Sequence, residues 1–248
     1  LDPDATGVLL VGVGKATRFL SYAQASPKRY EARVRLGAST STQDASGEVF
    51  EQRPVDVGTE QVREALDRFR GEIEQIPPMV SAVRIGGKRL HELARQGVEV
   101  ERPARKVHIY EIDLIDGPDA MNELGLDVTC SGGTYIRTLA HDLGQVLGCG
   151  AHLRSLRRTE AAGFMLSEAV PLDAVGADTL RPMIDAVRDL GSTEVGDSEV
   201  ALVANGRPLP KPPGMAEGSF TAVVHDGELL GVYRTEADRL VAERVVPR

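Results

Sequence analysis

The stretch Cys130-Ser-Gly-Gly-Thr-Tyr-Ile-Arg137 joins two segments with different periodicity. Before it, residues 124–130 alternate apolar and polar side chains, which is typical of a half-buried strand. After it, apolar side chains recur at helical spacing over residues 134–147 and Gly148 follows, which predicts an amphipathic helix. The two glycines let the backbone approach a ligand closely, and the start of a helix favours an anion beside it.

Similar patterns extend through the first two thirds of the chain. Alternation predicts strands at residues 30–36, 107–114 and 153–159, and residues 107–114 and 124–130 are expected to be antiparallel neighbours across a Gly-Pro turn. A helix is predicted at residues 60–69, and Pro77 and Pro78 block its continuation. Residues 80–85 lead into a tight hairpin at Gly86-Gly87, and residues 90–96 predict a helical turn or two capped by a glycine.

The pattern changes beyond about Asp189. Short strand-like pieces at residues 220–225, 228–233 and 240–246 are joined by turns such as Asp226-Gly227, which predicts a small β module with its own core. The proline-rich segment from Pro208 to Gly214 is expected to be a loop of this module. We therefore expect one domain over residues 1–188 and another over residues 189–248.

Composition narrows the class of protein. The chain has 248 residues, of which 42% are hydrophobic, as in ordinary globular proteins. No stretch approaches the roughly 20 apolar residues that cross a bilayer, and no signal-peptide pattern is present. Cys130 and Cys149 are too few for a disulfide framework, so we expect a soluble protein of the reducing cytoplasm. There is no initiator Met, and we expect that residues upstream of Leu1 are missing.

Charge leaves two interpretations open. The net charge of −8 argues against a polyanionic partner, but basic residues cluster locally, whereas residues 60–74 and 173–199 carry much of the acid. The basic clusters are Lys28-Arg29, Arg33 with Arg35, Arg84 with Lys88-Arg89, Arg102, Arg105-Lys106, and Arg154 with Arg157-Arg158. They form either a basic face on an acidic protein or scattered solvated charges with no face.

Several familiar motifs are incomplete. Gly12-Val-Gly-Lys-Ala-Thr17 resembles a phosphate-binding loop, but Leu9 occupies the first glycine position and Ala16 replaces the hydroxyl that binds magnesium. The dinucleotide fingerprint lacks its third glycine. Cys149 and His152 supply two of the usual four metal ligands, and no histidine has a triad pattern. We therefore expect neither a metal nor a cofactor.

Once these incomplete motifs are set aside, one set of candidate site residues remains: Asp2, Tyr30 and Arg137. Asp2 lies on a turn bounded by Pro and Gly, which leaves a short acidic side chain little conformational freedom. Arg137 falls in the first turn of the predicted helix, where the helix dipole disfavours a positive side chain unless it meets a carboxylate or phosphate. The simpler interpretations are a turn aspartate and a surface arginine.

Six segments carry a family resemblance in a fixed order. They are Leu1-Asp-Pro-Asp-Ala-Thr-Gly-Val-Leu9, Lys28-Arg-Tyr30, Phe69-Arg-Gly-Glu-Ile-Glu-Gln-Ile-Pro-Pro-Met-Val-Ser-Ala82, Ala94-Arg-Gln-Gly97, Cys130-Ser-Gly-Gly-Thr-Tyr-Ile-Arg137 and Gly148-Cys-Gly-Ala-His-Leu-Arg-Ser-Leu-Arg-Arg158. Together they resemble the bacterial TruB-type tRNA pseudouridine synthases over roughly residues 1–165.

The resemblance implies roles for individual residues. Asp2 would be the essential catalytic carboxylate, Arg137 would pair with it and favour its charged form, and Tyr30 would stack on the target base. That base must leave its RNA stack, which costs about a few kcal/mol. Leu156 would line the uridine pocket. Further substrate contacts are expected from Tyr135, Asp44, Lys88, Arg157 and Arg158.

The chemical role of Asp2 stays open at this point. Three alternatives are open: the carboxylate attacks the base, it attacks C1′ of the ribose, or it abstracts a ribose proton. None of these three routes requires a cofactor or a metal.

The resemblance also implies the architecture and the substrate. We expect an α+β fold, with a pseudouridine synthase catalytic domain around a mainly antiparallel mixed sheet over residues 1–188. A PUA-like RNA-binding β domain would follow over residues 189–248. The expected substrate is uridine 55 in the TΨC loop of tRNA, bound by a monomer that acts in the cytoplasm without a membrane partner.

The sequence departs from the family in three ways. The family continues upstream with a Lys-Pro strand and a Gly-His segment, His91 stands where Tyr is common, and Arg84 replaces a usual Lys. A competing hypothesis is a non-catalytic protein that binds and folds tRNA, with Asp2 as a structural turn residue.

Overall fold

The computed structural model describes residues 1–81, 84–85, 88–89 and 100–247. The chain divides into two compact units, and each unit is built from two separate stretches. The first unit combines Leu1–Val8 with Pro27–Ala161, and the second combines Leu9–Ser26 with Ala162–Arg248. The chain therefore passes between the units three times.

The elements are named in chain order. The helices are α1 Leu20–Ala25, α2 Thr59–Leu66, α3 Ile136–Val146 and α4 Asp197–Ala204. The strands are β1 Thr6–Gly7, β2 Lys28–Leu36, β3 Ala38–Thr40, β4 Val49–Gln52, β5 Gly71–Gln75, β6 Arg84–Ile85, β7 Lys88–Arg89, β8 Arg105–Asp116, β9 Glu123–Cys130, β10 Ala151–Ala161, β11 Phe164–Met165, β12 Gly191–Glu194, β13 Leu209–Pro210, β14 Phe220–His225, β15 Glu228–Glu236 and β16 Arg239–Val245. Short 3-10 turns are formed by Gly14–Phe19, Asp67–Phe69, Leu166–Glu168, Leu172–Ala174, Ala177–Thr179 and Met183–Val187.

A mainly antiparallel mixed sheet forms the centre of the first unit. Its strands follow the order β1-β10-β2-β9-β8-β5, in which only the β1–β10 pair of this path is parallel. Because side chains alternate between the faces of a strand, Tyr30, Ala32, Val34 and Leu36 of β2 all point to the buried face. The predicted α+β fold with its mixed sheet is confirmed.

Helices α2 and α3 cover the buried face of this sheet. Ile136, Leu139 and Leu143 of α3 are each at most 4% exposed and belong to the same apolar cluster as the inward side chains of β2. Burying one such side chain stabilises the fold by about 1.5–3 kcal/mol. A Cβ atom at Gly144 would lie only 2.1 Å from the amide nitrogen of Ala151, so this glycine lets α3 approach β10 closely.

Most predicted elements agree with the structure within a few residues, and the differences have local causes. Helix α3 begins at Ile136 because Tyr135 has an extended backbone as its N-cap. The proline-rich segment is not wholly a loop, since Leu209 and Pro210 pair with Leu240 and Arg239 at an edge of the second sheet. Proline is tolerated at an edge because no partner needs its missing N–H.

The hairpin predicted around Gly86-Gly87 is present as the pairing of Arg84 with Arg89 and of Ile85 with Lys88. The helical turn predicted at residues 90–96, its cap at residue 97, and His91 lie outside the described residues.

Charges on β2 are paired across the sheet. Arg29 donates two hydrogen bonds to Asp127 on β9, at 2.8 and 3.0 Å. Arg33 pairs with Asp116 at 2.6 Å, and Arg35 lies 3.3 Å from Glu123. Each of these three arginines thus has an acidic partner in the same sheet. Such pairing favours solvated ion pairs over a continuous basic face.

The second unit contains a five-stranded sheet in the order β12-β14-β15-β16-β13. Phe19 from the first stretch of this unit is fully buried in one cluster with Val187, Val224 and Val232. A second cluster includes Val203, Tyr233 and Leu240. The predicted small C-terminal β domain is confirmed as a fold. Within the described parts of the chain, no helix combines the length and apolar character needed to span a membrane.

Candidate active site

Arg137 is the centre of the candidate site in the first unit. Its Nε atom lies 2.9 Å from Oδ2 of Asp2, and Nη2 donates to Oδ1 of Asp2 at 3.0 Å. Nη2 also donates to the carbonyl oxygen of Val80 at 2.9 Å, and Nη1 donates to Oδ2 of Asp44 at 3.2 Å. The Arg137 side chain is 6% exposed, so it is a buried guanidinium held between two carboxylates and not a surface arginine.

Asp2 remains accessible although it is paired. Its side chain is 38% exposed, whereas the guanidinium beside it is buried. The amide of Ala5 donates to the Asp2 carbonyl oxygen at 3.0 Å, which closes the Pro-containing turn predicted from the sequence. Arg137 thus contacts both carboxylate oxygens, with a hydrogen bond to Oδ1 and an ion contact to Oδ2, while the Asp2 side chain stays partly exposed.

A compact polar loop presents Asp44 to Arg137. Oδ1 of Asp44 accepts hydrogen bonds from the hydroxyls of Thr42 and Ser46, both at 2.6 Å, and from the Ser46 amide at 3.0 Å. Burial alone would raise the pKa of Asp44, but these hydrogen bonds and the charge of Arg137 outweigh it, so the pKa lies below its ordinary value. Asp44 is therefore an ionised carboxylate on the guanidinium that also contacts Asp2.

Tyr30, Leu156 and Arg158 share one face of the sheet. Tyr30 of β2 is directly opposite Arg158 of β10, and Leu156 is opposite Ala32. The three side chains are 8–9% exposed. Burial raises the pKa of the Tyr30 hydroxyl, and the hydrogen bond with Arg158 opposes this shift. The charge of Asp2 adds to the effect of burial and also raises the pKa of Tyr30.

Strand β1 holds the Asp2 turn against β10. Thr6 and Gly7 run parallel to Arg157 and Arg158, and Nε of Arg158 donates to the Val8 carbonyl oxygen at 2.7 Å. Gly7 has a φ of +97°, and a Cβ atom there would lie 2.1 Å from the carbonyl oxygen of Arg158. Only glycine fits this approach, so Gly7 fixes the distance between the turn and the strand.

The other predicted contacts occupy different environments. Tyr135 is partly buried at the start of α3, and Arg157 is exposed on the sheet face opposite to Leu156 and Arg158. Arg158 is buried, so its guanidinium serves the interior of the site and not an open surface that meets an RNA backbone. The backbone of Lys88 lies in β7, and its side chain is outside the part that the structure describes.

Sequence reasoning missed the Val80 carbonyl, Thr42 and Ser46. No motif marks a backbone carbonyl as a partner of a distant arginine. The run Ser41-Thr-Gln-Asp-Ala-Ser46 is rich in residues that form local side-chain to backbone hydrogen bonds, and this signal could have identified the loop that orders Asp44.

Two places offer possible metal ligands. Nδ1 of His152 lies 2.9 Å from the Ala38 carbonyl oxygen, and Cys149 is buried as a free thiol, so this pair has the contacts of core residues. In the second unit, ligand atoms of Glu194, His225 and Asp226 lie within 4.8 Å of one another. A hydrogen bond to the Val195 carbonyl, followed by the nearby acidic charges, raises the pKa of His225, which favours an imidazolium paired with carboxylates.

The arrangement in the first unit combines apolar side chains with an accessible carboxylate. Tyr30 and Leu156 supply an aromatic and an aliphatic side chain on one sheet face, and Asp2 supplies a carboxylate paired with Arg137. A carboxylate in this position can act as a nucleophile or as a general base.

Comparison with known families gives a consistent result. A sequence model described as "TruB family pseudouridylate synthase (N terminal domain)" matches residues 1–136. A second one, described as "tRNA pseudouridylate synthase B C-terminal domain", matches residues 137–187. Together they cover the whole constellation of Asp2, Tyr30, Asp44, Arg137, Leu156 and Arg158.

Curated relatives are similar over most of their length. A protein of Syntrophomonas wolfei subsp. wolfei named tRNA pseudouridine synthase B is 42% identical over 240 residues, which cover 94% of this chain and 80% of the relative. The protein of the same name from Ectopseudomonas mendocina is 42% identical over 257 residues, which cover 98% of this chain and 83% of the relative.

Solved structures share the fold over the full chain. The structure titled "Crystal Structure of a Cbf5-Nop10-Gar1 Complex" matches with a TM-score of 0.75 and 26% identity, covering 100% of this chain and 75% of that chain. The structure titled "Structure of H/ACA RNP bound to a substrate RNA containing 2'-deoxyuridine" matches with a TM-score of 0.72 and 23% identity. The match covers 100% of this chain and 74% of that chain.

Proposed function

Because this chain belongs to the TruB family of pseudouridylate synthases, we propose that it converts uridine 55 in the TΨC loop of tRNA to pseudouridine. The observation that carries the proposal is the contact of the buried Arg137 guanidinium with both oxygens of the accessible Asp2 carboxylate. Tyr30 is opposite Arg158 on β10, the residue that also pairs with Gly7 after the Asp2 turn, and we propose that its ring receives the base.

Base flipping accounts for the apolar part of the site. A uridine stacked inside an RNA loop cannot present its glycosidic bond to a carboxylate in a protein cleft, so it must rotate out of the stack. Stacking on an aromatic ring returns about 1–3 kcal/mol per base. Tyr30 supplies that ring, and Leu156 supplies a second apolar surface on the same sheet face.

The reaction is a balanced isomerisation. The N1–C1′ bond of uridine breaks, the uracil turns, and a C5–C1′ bond forms; N1 gains a proton, and the hydrogen of C5 leaves to solvent. Asp2 is the group that acts on the ribose or on the ring, and Arg137 fixes the direction of both carboxylate oxygens. Holding reacting groups in one geometry is worth orders of magnitude in rate.

Asp44 gives Arg137 a second anchor. The ionised Asp44 holds Nη1 of Arg137, and Val80 and Asp2 hold the other side of the guanidinium. These contacts hold the guanidinium in place, so that a substrate phosphate does not draw it away from Asp2. We assign Asp44 to the active site on this basis, with Tyr135 as a further substrate contact.

We propose that the protein binds the TΨC stem-loop of tRNA. It would act as a monomer and would not need a metal. Exposed Arg157, together with Lys88 and Arg154, would contribute charge attraction to the RNA backbone. We propose a catalytic domain over residues 1–188 and a PUA-like RNA-binding domain over residues 189–248. Two free cysteines support action in the reducing cytoplasm.

The competing function is tRNA binding and folding without chemistry. It predicts no special accessibility for Asp2 and no need for a paired guanidinium. The 38% exposure of Asp2 beside a buried Arg137 favours catalysis.

Tritium release separates the two functions. We would incubate tRNA carrying 5-tritiated uridine with the intact protein and with the Asp2→Asn variant, and measure tRNA binding of both by filter retention. Catalysis predicts release by the intact protein, loss of release in the variant, and retained binding. Unchanged release by the variant would refute the role of Asp2, and substitution of residue 55 by cytidine in the tRNA should abolish release.

A further inference from the structure

Gln75 is a buried polar side chain that none of the roles above uses. It is the last residue of β5, and it is 1% exposed. Its Nε2 atom donates to the carbonyl oxygen of Tyr135 at 3.2 Å, and its Oε1 atom accepts from the amide of Tyr135 at 2.9 Å. One side-chain amide therefore holds both backbone polar groups of a single residue.

The residue that Gln75 holds is the N-cap of α3. Tyr135 has an extended backbone, with φ −101° and ψ 106°, and its own side chain makes no capping hydrogen bond. Its carbonyl oxygen also accepts the first hydrogen bond of the helix, from the Leu139 amide at 3.0 Å. The position of the first turn of α3 thus depends on a side chain from another element.

This first turn carries Arg137, two residues beyond the N-cap. Nη2 of Arg137 binds the Val80 carbonyl, and Val80 follows Gln75 by a short loop that contains Pro77 and Pro78. The start of α3 and this loop are therefore tied at both ends, by Gln75 to Tyr135 and by Arg137 to Val80. The tie leaves the Arg137 backbone little freedom relative to its carbonyl partner.

We propose that Gln75 is a positioning residue for the isomerisation, which sets the N-cap of α3 and so aims the Arg137 guanidinium at Asp2. This inference rests on the proposed function. Misplacement of a reacting group by about 1 Å can cost about 100-fold in rate, even when the change lies away from the chemistry. Binding of tRNA, by contrast, does not depend on the exact angle of this ion pair.

A Glu in place of Gln gives the sharpest probe. A protonated Glu at position 75 keeps the same shape, accepts from the Tyr135 amide and donates its O–H to the Tyr135 carbonyl. An ionised Glu places a carboxylate oxygen against that carbonyl, where Nε2 now lies 3.2 Å away. The protonated fraction of a carboxyl falls about tenfold per pH unit above its pKa, so the defect should depend on pH.

The experiment compares Gln75→Glu, Gln75→Met and a matched control in the full chain. Gln61→Met is the control, because Oε1 of Gln61 accepts from the Gly58 amide at 2.7 Å and thus caps α2, which carries no residue of the site. Single-turnover tritium release, tRNA dissociation constants and circular dichroism are measured from about pH 6 to pH 8.

The inference predicts that Gln75→Met lowers the single-turnover rate about 100-fold with unchanged tRNA affinity, whereas Gln61→Met leaves both unchanged. The rate of Gln75→Glu relative to the intact protein should rise as the pH falls, while that of Gln75→Met stays flat. Equal rates for all variants, a flat ratio for Gln75→Glu, or unfolding of both Gln75 variants would overturn it. Absence of tritium release by the intact protein would instead refute the proposed function.

Discussion

The Nε atom of Arg137 lies 2.9 Å from Oδ2 of Asp2, although the two residues are 135 positions apart in the chain. The contact joins a turn at one edge of the first sheet to the first turn of α3. Because the arginine is buried and the aspartate is partly exposed, one end of the ion pair lies inside the protein and the other is accessible to solvent.

Arg137→Lys should lower the rate of pseudouridine formation about 100-fold, because a point-like ammonium cannot reproduce the planar contacts with Asp2, Asp44 and Val80 together. Arg63→Lys is the control, since Arg63 is an exposed arginine on α2 that pairs with Glu60 of the same helix. Single-turnover tritium release measures both. Equal rates for the two variants would contradict the prediction.

Tyr30→Phe should retain most of the activity, whereas Tyr30→Leu should lose about 5–150-fold, corresponding to a stacking contribution of about 1–3 kcal/mol. The phenylalanine keeps the ring and loses only the hydrogen bond with Arg158. Release rates at saturating tRNA measure the effect. Equally large losses in both variants would show that the reaction uses the hydroxyl and not the ring.

Gly7→Ala should destabilise the first unit and impair catalysis together. The new Cβ atom would lie 2.1 Å from the Arg158 carbonyl, so strand β1 and the Asp2 turn must move. Gly71→Ala separates strain from collision, because Gly71 has a similar φ of +84° but a Cβ atom added there would have no neighbour within 4 Å. We expect the free energy of unfolding to fall by at least about 2 kcal/mol more for Gly7→Ala than for Gly71→Ala. Urea unfolding measures this difference.

Asp142 should make stability depend on pH. Burial raises the pKa of this carboxyl on α3 from 3.8 to about 6. Between these values the folded protein holds a proton that the unfolded chain has lost, so the free energy of unfolding falls as the pH rises through this window. Asp142→Asn removes the effect, and it should raise the urea midpoint at about pH 8 and change it little at about pH 4. The exposed Asp173→Asn should change neither midpoint, and an equal gain for Asp142→Asn at both pH values would count against the burial argument.

The sequence predicted element types well where the pattern is local. Strand β14 spans the predicted residues 220–225, because alternation and the following Asp226-Gly227 turn both act within a few residues. The same period of two could have separated Arg157 from Arg158. Alternation from the buried Leu156 places Arg158 on the inner face and Arg157 on the outer one, as the structure has them.

Non-local relationships were beyond the reach of these patterns. Asp44 meets Arg137 because a loop is folded by Thr42 and Ser46 and bridges Leu153, and no spacing along the chain encodes that meeting. The assignment of Leu9–Ser26 to the second unit was missed for the same reason. Its buried Phe19 finds partners that lie more than a hundred residues away, whereas sequence patterns report only on neighbours.

The interleaved path of the chain has a consequence for synthesis. Phe19 leaves the ribosome early, but Val224 and Val232 of the same buried cluster are made some two hundred residues later. At about 5–20 residues per second, this interval lasts about ten seconds or longer. During that time the nascent segment around Phe19 is accessible to chaperones. A polypeptide that ends before β14 would lack Val224 and Val232, so Phe19 could not be buried against them.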